Sequence, residues 1–388
     1  MIDLVLVPGR DRSLLRRHPW VLSGSVARSV GNAEGGALVR VLSAEGEPLG
    51  FGHLSPHSVI RVRMVAFGKE APADSWLEDR IQAAVRRRGE DPLLADLEGL
   101  RLVNAEGDGL PGLVVDRYGD CLVVKLSSAG MANLRQPIAE ALRAVPGVSR
   151  VLERADAVAA RQEGLAIREG VWFGEEPEAL LTLHERGRRY EVDVRHGQKT
   201  GFYLDQREAR DLVQRLADGR RVLDLFSYTG GFAVAAVRGG AHSVTLVDSS
   251  EPALALARRN LRAAPEVESR FVAANAFRFV RADDALYDLL VVDPPPLARR
   301  RRDLARATRA YKDVILHALH RAAPGAFLLV FSCSHHVGAD LFRKVVFAAS
   351  LDAGRPVQVL GTLGPPSDHP VSLDHPEGDY LCGLLLRA

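Results

Sequence analysis

Cys333 in LLVFSCSHH and Asp293 in VVDPPP each close an apolar run of the kind that makes a buried strand. Asp224 in RVLDLF and Asp248 in SVTLVD close two more. In a doubly wound sheet a ligand lies beyond the carboxyl ends of the strands, so one thiol and three carboxylates are expected at a single sheet edge. Cys333 is flanked by Ser332, Ser334, His335 and His336, polar company in which a thiolate can be stabilised. Cys121 in CLVVKL and Cys382 in YLCGLLL stand inside apolar runs and read as small core hydrophobes. A nucleophilic thiol beside a rigid carboxylate suits methylation at carbon 5 of a pyrimidine. That carbon is a poor nucleophile until a group adds at carbon 6 and makes the ring enamine-like. Asp293 is held by the prolines that follow it and would grip the planar N3 and amino edge of the base.

The loop after the first of these strands, LFSYTGGF, lacks the G-x-G-x-x-G pattern that a dehydrogenase uses to seat a pyrophosphate. An acidic strand end followed by adjacent glycines suits S-adenosylmethionine (SAM) better, since its ammonium wants an anion and there is no diphosphate to cradle. Gly230 and Gly231 would let the backbone approach a ligand closely, and Asp248 is placed to accept from ribose hydroxyls. The candidate cofactor contacts are Asp224, Phe226, Tyr228, Thr229, Gly230, Asp248, Ser249, Asn275, Ala276 and Asp293. An exocyclic-nitrogen methyltransferase would carry an aromatic as the fourth residue of D-P-P-x, where this chain has Pro296. In such an enzyme Cys333 would be dispensable, and an inert RNA-binding protein that kept the fold would not turn SAM over. His335, His336, His369 and His375 share no metal-binding spacing with Cys333, so no metal is expected.

The elements that must position these residues follow from pattern. Residues 1–68 alternate in short apolar stretches broken by Gly, Pro and Ser, which predicts a small β-rich domain. A linker, GKEAPAD, leads into a helix expected over 75–89, with Ser75 or Asp74 as its N-cap, opening a central α+β domain over 74–190. From 192 to 388, strands alternate with helical segments, which predicts a mostly parallel sheet covered on both faces. A helix is expected from QREARDLVQRL with Asp205 as its cap.

Charge excludes little: 51 Lys plus Arg face 49 Asp plus Glu, so any basic surface must be local. Forty-six of the 51 are arginines, and the run ARRRRDLARATR reads equally as an RNA phosphate clamp or as a solvated helix face. Three dispersed cysteines fit a reducing compartment. The opening apolar run is broken by Asp3 and Pro8 and no other reaches membrane-spanning length, so a cytoplasmic protein with no membrane partner is expected.

With these residues in place, the whole chain resembles the RlmI-like family of bacterial large-subunit rRNA cytosine-C5 methyltransferases. HPWVLSGSV and GFGHLSPHSVIRVR resemble its PUA RNA-binding portion, and AEGDGLPGLVVDRYGD its central domain. GQKTGFYLDQR, VLDLFSYTGGF, DPP, YKD, FSCS, DHPV and PEGDYL resemble its Rossmann-like catalytic domain. The resemblance implies SAM as cofactor, large-subunit rRNA as partner, Cys333 as nucleophile and Asp293 as the acid that holds the base. A homodimer is compatible with it. Gln198, Lys199, Phe202, Tyr203, Gln206, Arg207, Pro294 and Pro295 would then meet substrate or brace the site. Pro296 replaces a lysine common after D-P-P in the family, and Asn275 replaces an acid that commonly meets the adenine amino group.

Overall fold

The computed structural model describes residues 2–31, 34–298 and 300–388. The chain forms two compact units. The first comprises Met1–Glu185, Val192–Phe202 and Ser367–Gly378; the second comprises Arg186–Glu191, Tyr203–Pro366 and Asp379–Ala388.

The first unit holds two sheets, each with its own core. The N-terminal one has six strands in the order Trp20–Leu22, Ile60–Phe67, Pro48–Leu54, Leu38–Leu42, Ile2–Leu6 and Val26–Val30. Period-two alternation turns Val39 and Val41 inward to join Leu4, Leu6, Val21, Val62 and Met64. The other has five strands in the order Gly170–Phe173, Arg150–Glu153, Cys121–Leu126, Leu113–Tyr118 and Gly99–Asn104.

Beside this sheet lies the helix Trp76–Glu90, which buries Leu77, Ile81, Ala84 and Arg88 along one stripe. Arg88 is tolerated there because it forks onto both oxygens of Asp108 (2.7 and 2.8 Å) and donates to the Asp368 carbonyl. Ser75 stands at the N-cap as expected but caps no amide. Its hydroxyl donates to Asp79 (2.7 Å) instead.

The second unit is built on seven strands: β1 (Arg221–Leu225), β2 (Ser243–Asp248), β3 (Glu268–Ala273), β4 (Tyr287–Val292), β5 (Ala322–Ser332), β6 (Gln358–Leu363) and β7 (Cys382–Arg387). Their spatial order is β3-β2-β1-β4-β5-β7-β6. The first five pair in parallel, and β7 runs antiparallel to both β5 and β6. The helices are α1 (Arg207–Leu216), α2 (Gly231–Arg238), α3 (Glu251–Asn260), α4 (Ala276–Ala282), α5 (Leu304–Arg321) and α6 (Ala339–Asp352).

Residues 222–225 of β1 are all buried, as are Leu289–Val292 of β4, so no polar face alternates with an apolar one. Leu223, Leu225, Leu290 and Val292 pack with Tyr311, Val314, Leu328 and Val330 in one core. The strand order reverses beside β1, between β2 and β4. The carboxyl ends of β1, β2, β4 and β5 therefore deliver Asp224, Asp248, Asp293 and Cys333 to one edge. No described helix is long and apolar enough to cross a membrane.

Candidate active site

The β1–α2 loop is strained. Phe226 and Tyr228 adopt left-handed backbone (φ 63° and 50°), a conformation that costs about 1–2 kcal/mol for a side-chain-bearing residue and collects at ligand sites. The turn is held by three bonds, two of them to β2 and one within the turn itself. The Tyr228 amide donates to Asp248 Oδ2 (2.9 Å), the Ser227 amide to the Val247 carbonyl (3.1 Å), and the Gly230 amide to the Ser227 carbonyl (2.8 Å). Asp248 also accepts from the Ser250 amide at its other oxygen (2.8 Å), and each oxygen keeps a lone pair for a further donor. Gly230 is required for a different reason from the one expected. Its φ is 77°, and a Cβ there would stand 3.1 Å from Ala257 and 3.2 Å from Leu246, so the space it leaves is filled by α3 and β2 rather than by a ligand.

Three buried polar groups in this stretch have no hydrogen-bond partner among the described residues: the carboxylate of Asp224, at both oxygens, and the hydroxyls of Ser227 and Thr229. Leaving such groups unmet costs about 1–3 kcal/mol each, and they call for a polar, cationic ligand. Burial, reinforced by Asp293 and Asp248, pushes the Asp224 carboxyl well above the usual carboxylate range. The nearby Ala233 amide opposes this without reaching hydrogen-bond geometry. These groups fit the ammonium and hydroxyls of SAM. Ser227 was not singled out from sequence; a serine in a loop gives no signal until its burial is known.

Asn275 caps α4, accepting from the Arg278 amide (3.1 Å) with the carbonyl expected to meet adenine; a second lone pair remains. Ala276 is buried behind it, while Ser249 is exposed after β2.

At the β4 and β5 ends the chemistry converges. Gln206 donates to Asp293 Oδ2 (3.0 Å), and the Cys333 thiol points at the Pro294 carbonyl (3.5 Å), the residue next to Asp293. Tyr203 lies among Asp293, Asp205, Cys333 and Tyr228. Burial first, then those neighbours, hold its phenol above its ordinary range and keep it neutral. Its ring meets that of Tyr228 edge-on, with centroids 5.5 Å apart.

Ser334 fastens the two strand ends together. Its buried hydroxyl oxygen accepts from the amides of Leu297 (3.0 Å) and Ala298 (3.2 Å) and lies 2.9 Å from the Tyr311 hydroxyl. With both lone pairs taken by amides, the Ser334 O–H donates to Tyr311. The serine after Cys333 thus fixes the D-P-P-P loop against the thiol. Ser334→Ala is expected to leave two buried amides unmet and to lower kcat about tenfold or more with little change in KM for SAM. Steady-state rates with a thermal melt check this, and an unchanged kcat would remove Ser334 from the positioning role.

The lead-in segment divides between the units. Gln198, Lys199 and Phe202 belong to the first, where Thr200 donates to Asp116 (2.6 Å) and the Phe202 amide to the Tyr118 hydroxyl (3.2 Å). Gln198 is exposed, Lys199 has φ 54°, and Phe202 is buried. Tyr203, Gln206 and Arg207 belong to the second. Arg207 is fully buried and so braces the unit from within rather than presenting its guanidinium to substrate. Asp205 does not cap α1. It sits in a single 3-10 turn before that helix and accepts from the Tyr380 hydroxyl (2.6 Å), leaving Gln206 at the cap position.

Pro294 is buried and Pro295 exposed. Of the four histidines, His369 and His375 lie in the first unit, and His335 and His336 in the second. Among the described residues no group of three or more His, Cys, Asp or Glu could hold a metal ion. Burial pushes the thiols of Cys121 and Cys382 up to about 11, as befits packed cysteines.

The sheet order, the strained β1–α2 loop and the buried Asp224 define a Rossmann-like, SAM-dependent methyltransferase behind a β-rich N-terminal region. Residues 128–354 match the model for S-adenosylmethionine-dependent methyltransferases, and residues 4–67 that for a PUA-like domain. Ribosomal RNA large subunit methyltransferase I of Aeromonas salmonicida is 42% identical over 395 residues, covering 100% of this chain and 99% of the relative. Its Shigella dysenteriae counterpart is 40% identical over 392 residues, covering 100% and 98%. Two solved structures that match over the whole chain have the same fold. One, assigned as a methyltransferase and complexed with SAH, has a TM-score of 0.86 at 23% identity; the other, assigned as a SAM-dependent methyltransferase of Streptococcus mutans, has 0.83 at 22%. At those identities they bear on the fold alone. The chain belongs to the ribosomal RNA large subunit methyltransferase I family. The expected fold class, a PUA-like domain followed by a Rossmann-like methyltransferase domain, and the SAM cofactor are borne out.

Proposed function

We propose that this protein methylates C5 of a cytidine in large-subunit rRNA, in the cytoplasm, through a covalent bond to Cys333. The observation that carries the reading is the convergence of the Cys333 thiol, the Asp293–Pro294 turn and Gln206 at one sheet edge. When bound, SAM supplies an electrophilic methyl group.

Cys333, as the thiolate, forms a bond to C6 of the extruded base, and the C5=C6 pair shifts towards C5 and N3. Asp293 holds the N3 and amino edge where that charge gathers, and Gln206 fixes the carboxyl in place. C5 then takes the methyl group and loses its proton to a base; the C5=C6 bond re-forms as the thiolate departs. Asp224 meets the cofactor's ammonium, while the Ser227 and Thr229 hydroxyls and Asp248 bind its polar groups. Phe226, Tyr228, Gly230, Ser249, Asn275 and Ala276 shape the rest of the cofactor site. Tyr203, Pro294 and Pro295 bound the substrate side.

Nucleoside digestion of methylated rRNA with mass detection tests the product: 5-methylcytidine supports the reading, and N4-methylcytidine contradicts it.

The Asp224 assignment also has a pH signature. In the cofactor-free chain its raised pKa means that the neutral form is favoured on folding. That contribution is present at low pH and lost as pH rises through the raised value. A bound cation reverses the preference, so SAM is expected to bind more tightly as pH rises, by up to about tenfold per unit below that value. Asp224→Asn is expected to weaken binding and flatten the slope. Calorimetric Kd values from the ordinary carboxylate range up through neutral pH check this, and a wild-type Kd independent of pH throughout would count against Asp224 as the cation's partner.

A further inference from the structure

The segment after the D-P-P-P loop carries an unusual surface. Ala298, two residues before Arg300, is buried and bonded to Ser334 beside Cys333. From there the chain runs through a short turn, Arg301–Asp303, into α5. Arg300, Arg301, Arg302, Arg306 and Arg309 are all exposed. Arg301 and Arg302 lie in that turn, and Arg306 and Arg309, three apart on α5, lie away from the face on which Ala307, Tyr311, Val314 and Ile315 are buried. Arg299 lies outside the described residues.

Some exposed arginines elsewhere in this unit are paired, Arg221 with Asp288 (3.0 Å), Arg258 with Glu251 (2.8 Å) and Arg281 with Asp313 (2.5 Å), whereas others, such as Arg238, Arg278 and Arg343, have no such partner among the described residues but stand apart from one another in sequence. None of the five has a carboxylate within 4.0 Å among the described residues, although Asp303 stands between them in sequence. Like charges set close together repel and cost stability, so five clustered exposed arginines with no carboxylate beside them form a surface on which an outside anion would relieve that repulsion. Three residues of chain span at most about 10 Å, which keeps Arg301 close to the loop that bears the catalytic carboxylate.

We propose that this arginine comb grips the RNA phosphates flanking the cytidine presented to Cys333. The inference rests on the RNA substrate reading and deepens it by assigning where the strand lies. A base drawn out of its stack leaves its neighbouring phosphates outside the pocket, and guanidinium groups match phosphate geometry in a bidentate fashion.

The test measures binding of a short labelled single-stranded RNA containing cytidines, from about 50 to 200 mM salt. Wild type is compared with Arg301→Ala/Arg302→Ala/Arg306→Ala/Arg309→Ala and with the same four positions changed to lysine. Each phosphate contact contributes about 0.7 to the slope of log K against log salt, so the alanine variant is expected to lose about 2–3 from that slope and to bind about 10- to 100-fold more weakly. The lysine variant is expected to recover most of the slope. A melting temperature equal to wild type shows that the exposed changes leave the fold intact. An alanine variant that keeps the wild-type slope and affinity overturns the comb, whatever the chemistry at Cys333. If the slope falls while wild type yields no covalent adduct on 5-fluorocytidine RNA, the comb stands and the C5 reading fails.

Discussion

Cys333→Ala is expected to abolish turnover, lowering kcat by about four orders of magnitude or more, while leaving SAM affinity near that of wild type. Removing a covalent nucleophile takes away the route itself rather than one contribution to it, as the near-total losses at other nucleophiles show. The loss should fall on kcat because the thiol is needed only when C6 is attacked. The fold should tolerate the change, since Cys333 is half-buried, directly follows β5 and bonds only weakly to the Pro294 carbonyl. Single-turnover methylation with SAM binding measured on the same sample checks both halves. An alanine variant that keeps more than about a tenth of the rate would show that the thiol adds nothing covalent.

Asp293→Asn is expected to have the next largest effect, about 10²- to 10⁴-fold in kcat. The amide keeps the volume and a partner for Gln206, so the β4–α5 loop should hold its shape. What is lost is the exchangeable carboxyl proton that can pass to N3 as electron density gathers there. Because Ser334 and the prolines fix the loop independently, through the Leu297 and Ala298 amides, a rate loss with an unchanged melting temperature would assign the effect to chemistry. A fall in melting temperature with an equal fall in SAM affinity would instead make Asp293 a structural residue.

The framework of this site was legible because each piece lies at the end of a contiguous apolar run. Asp224, Asp248, Asp293 and Cys333 close β1, β2, β4 and β5, and the parallel topology takes all four to one edge. The antiparallel pair β6 and β7 was not read. What recruits CGLLLR to the sheet is antiparallel pairing with β5, in which Ser332 faces Cys382, and QVLGTL is recruited in turn by pairing with β7.

Capping residues misled for a related reason. Asp205 and Ser75 are the right residue types in the right places, yet each has a competing partner that local sequence does not reveal: Tyr380, 175 positions away, and Asp79. The same holds for the fine structure of the site. Gln206 meets Asp293 across 87 positions, and Ser334 meets Leu297 across 37. Gly230 shows the converse: its need was legible, but the packing of Ala257 that explains it was not.

The most direct measurement is intact-protein mass spectrometry of wild type and Cys333→Ala after incubation with SAM and rRNA fragments carrying 5-fluorocytidine, which blocks loss of the C5 substituent and traps the covalent complex. An RNA-sized adduct on wild type and none on the alanine variant is the predicted result. Absence of an adduct on wild type, under conditions in which ordinary rRNA is methylated by both proteins, would contradict the covalent C5 mechanism.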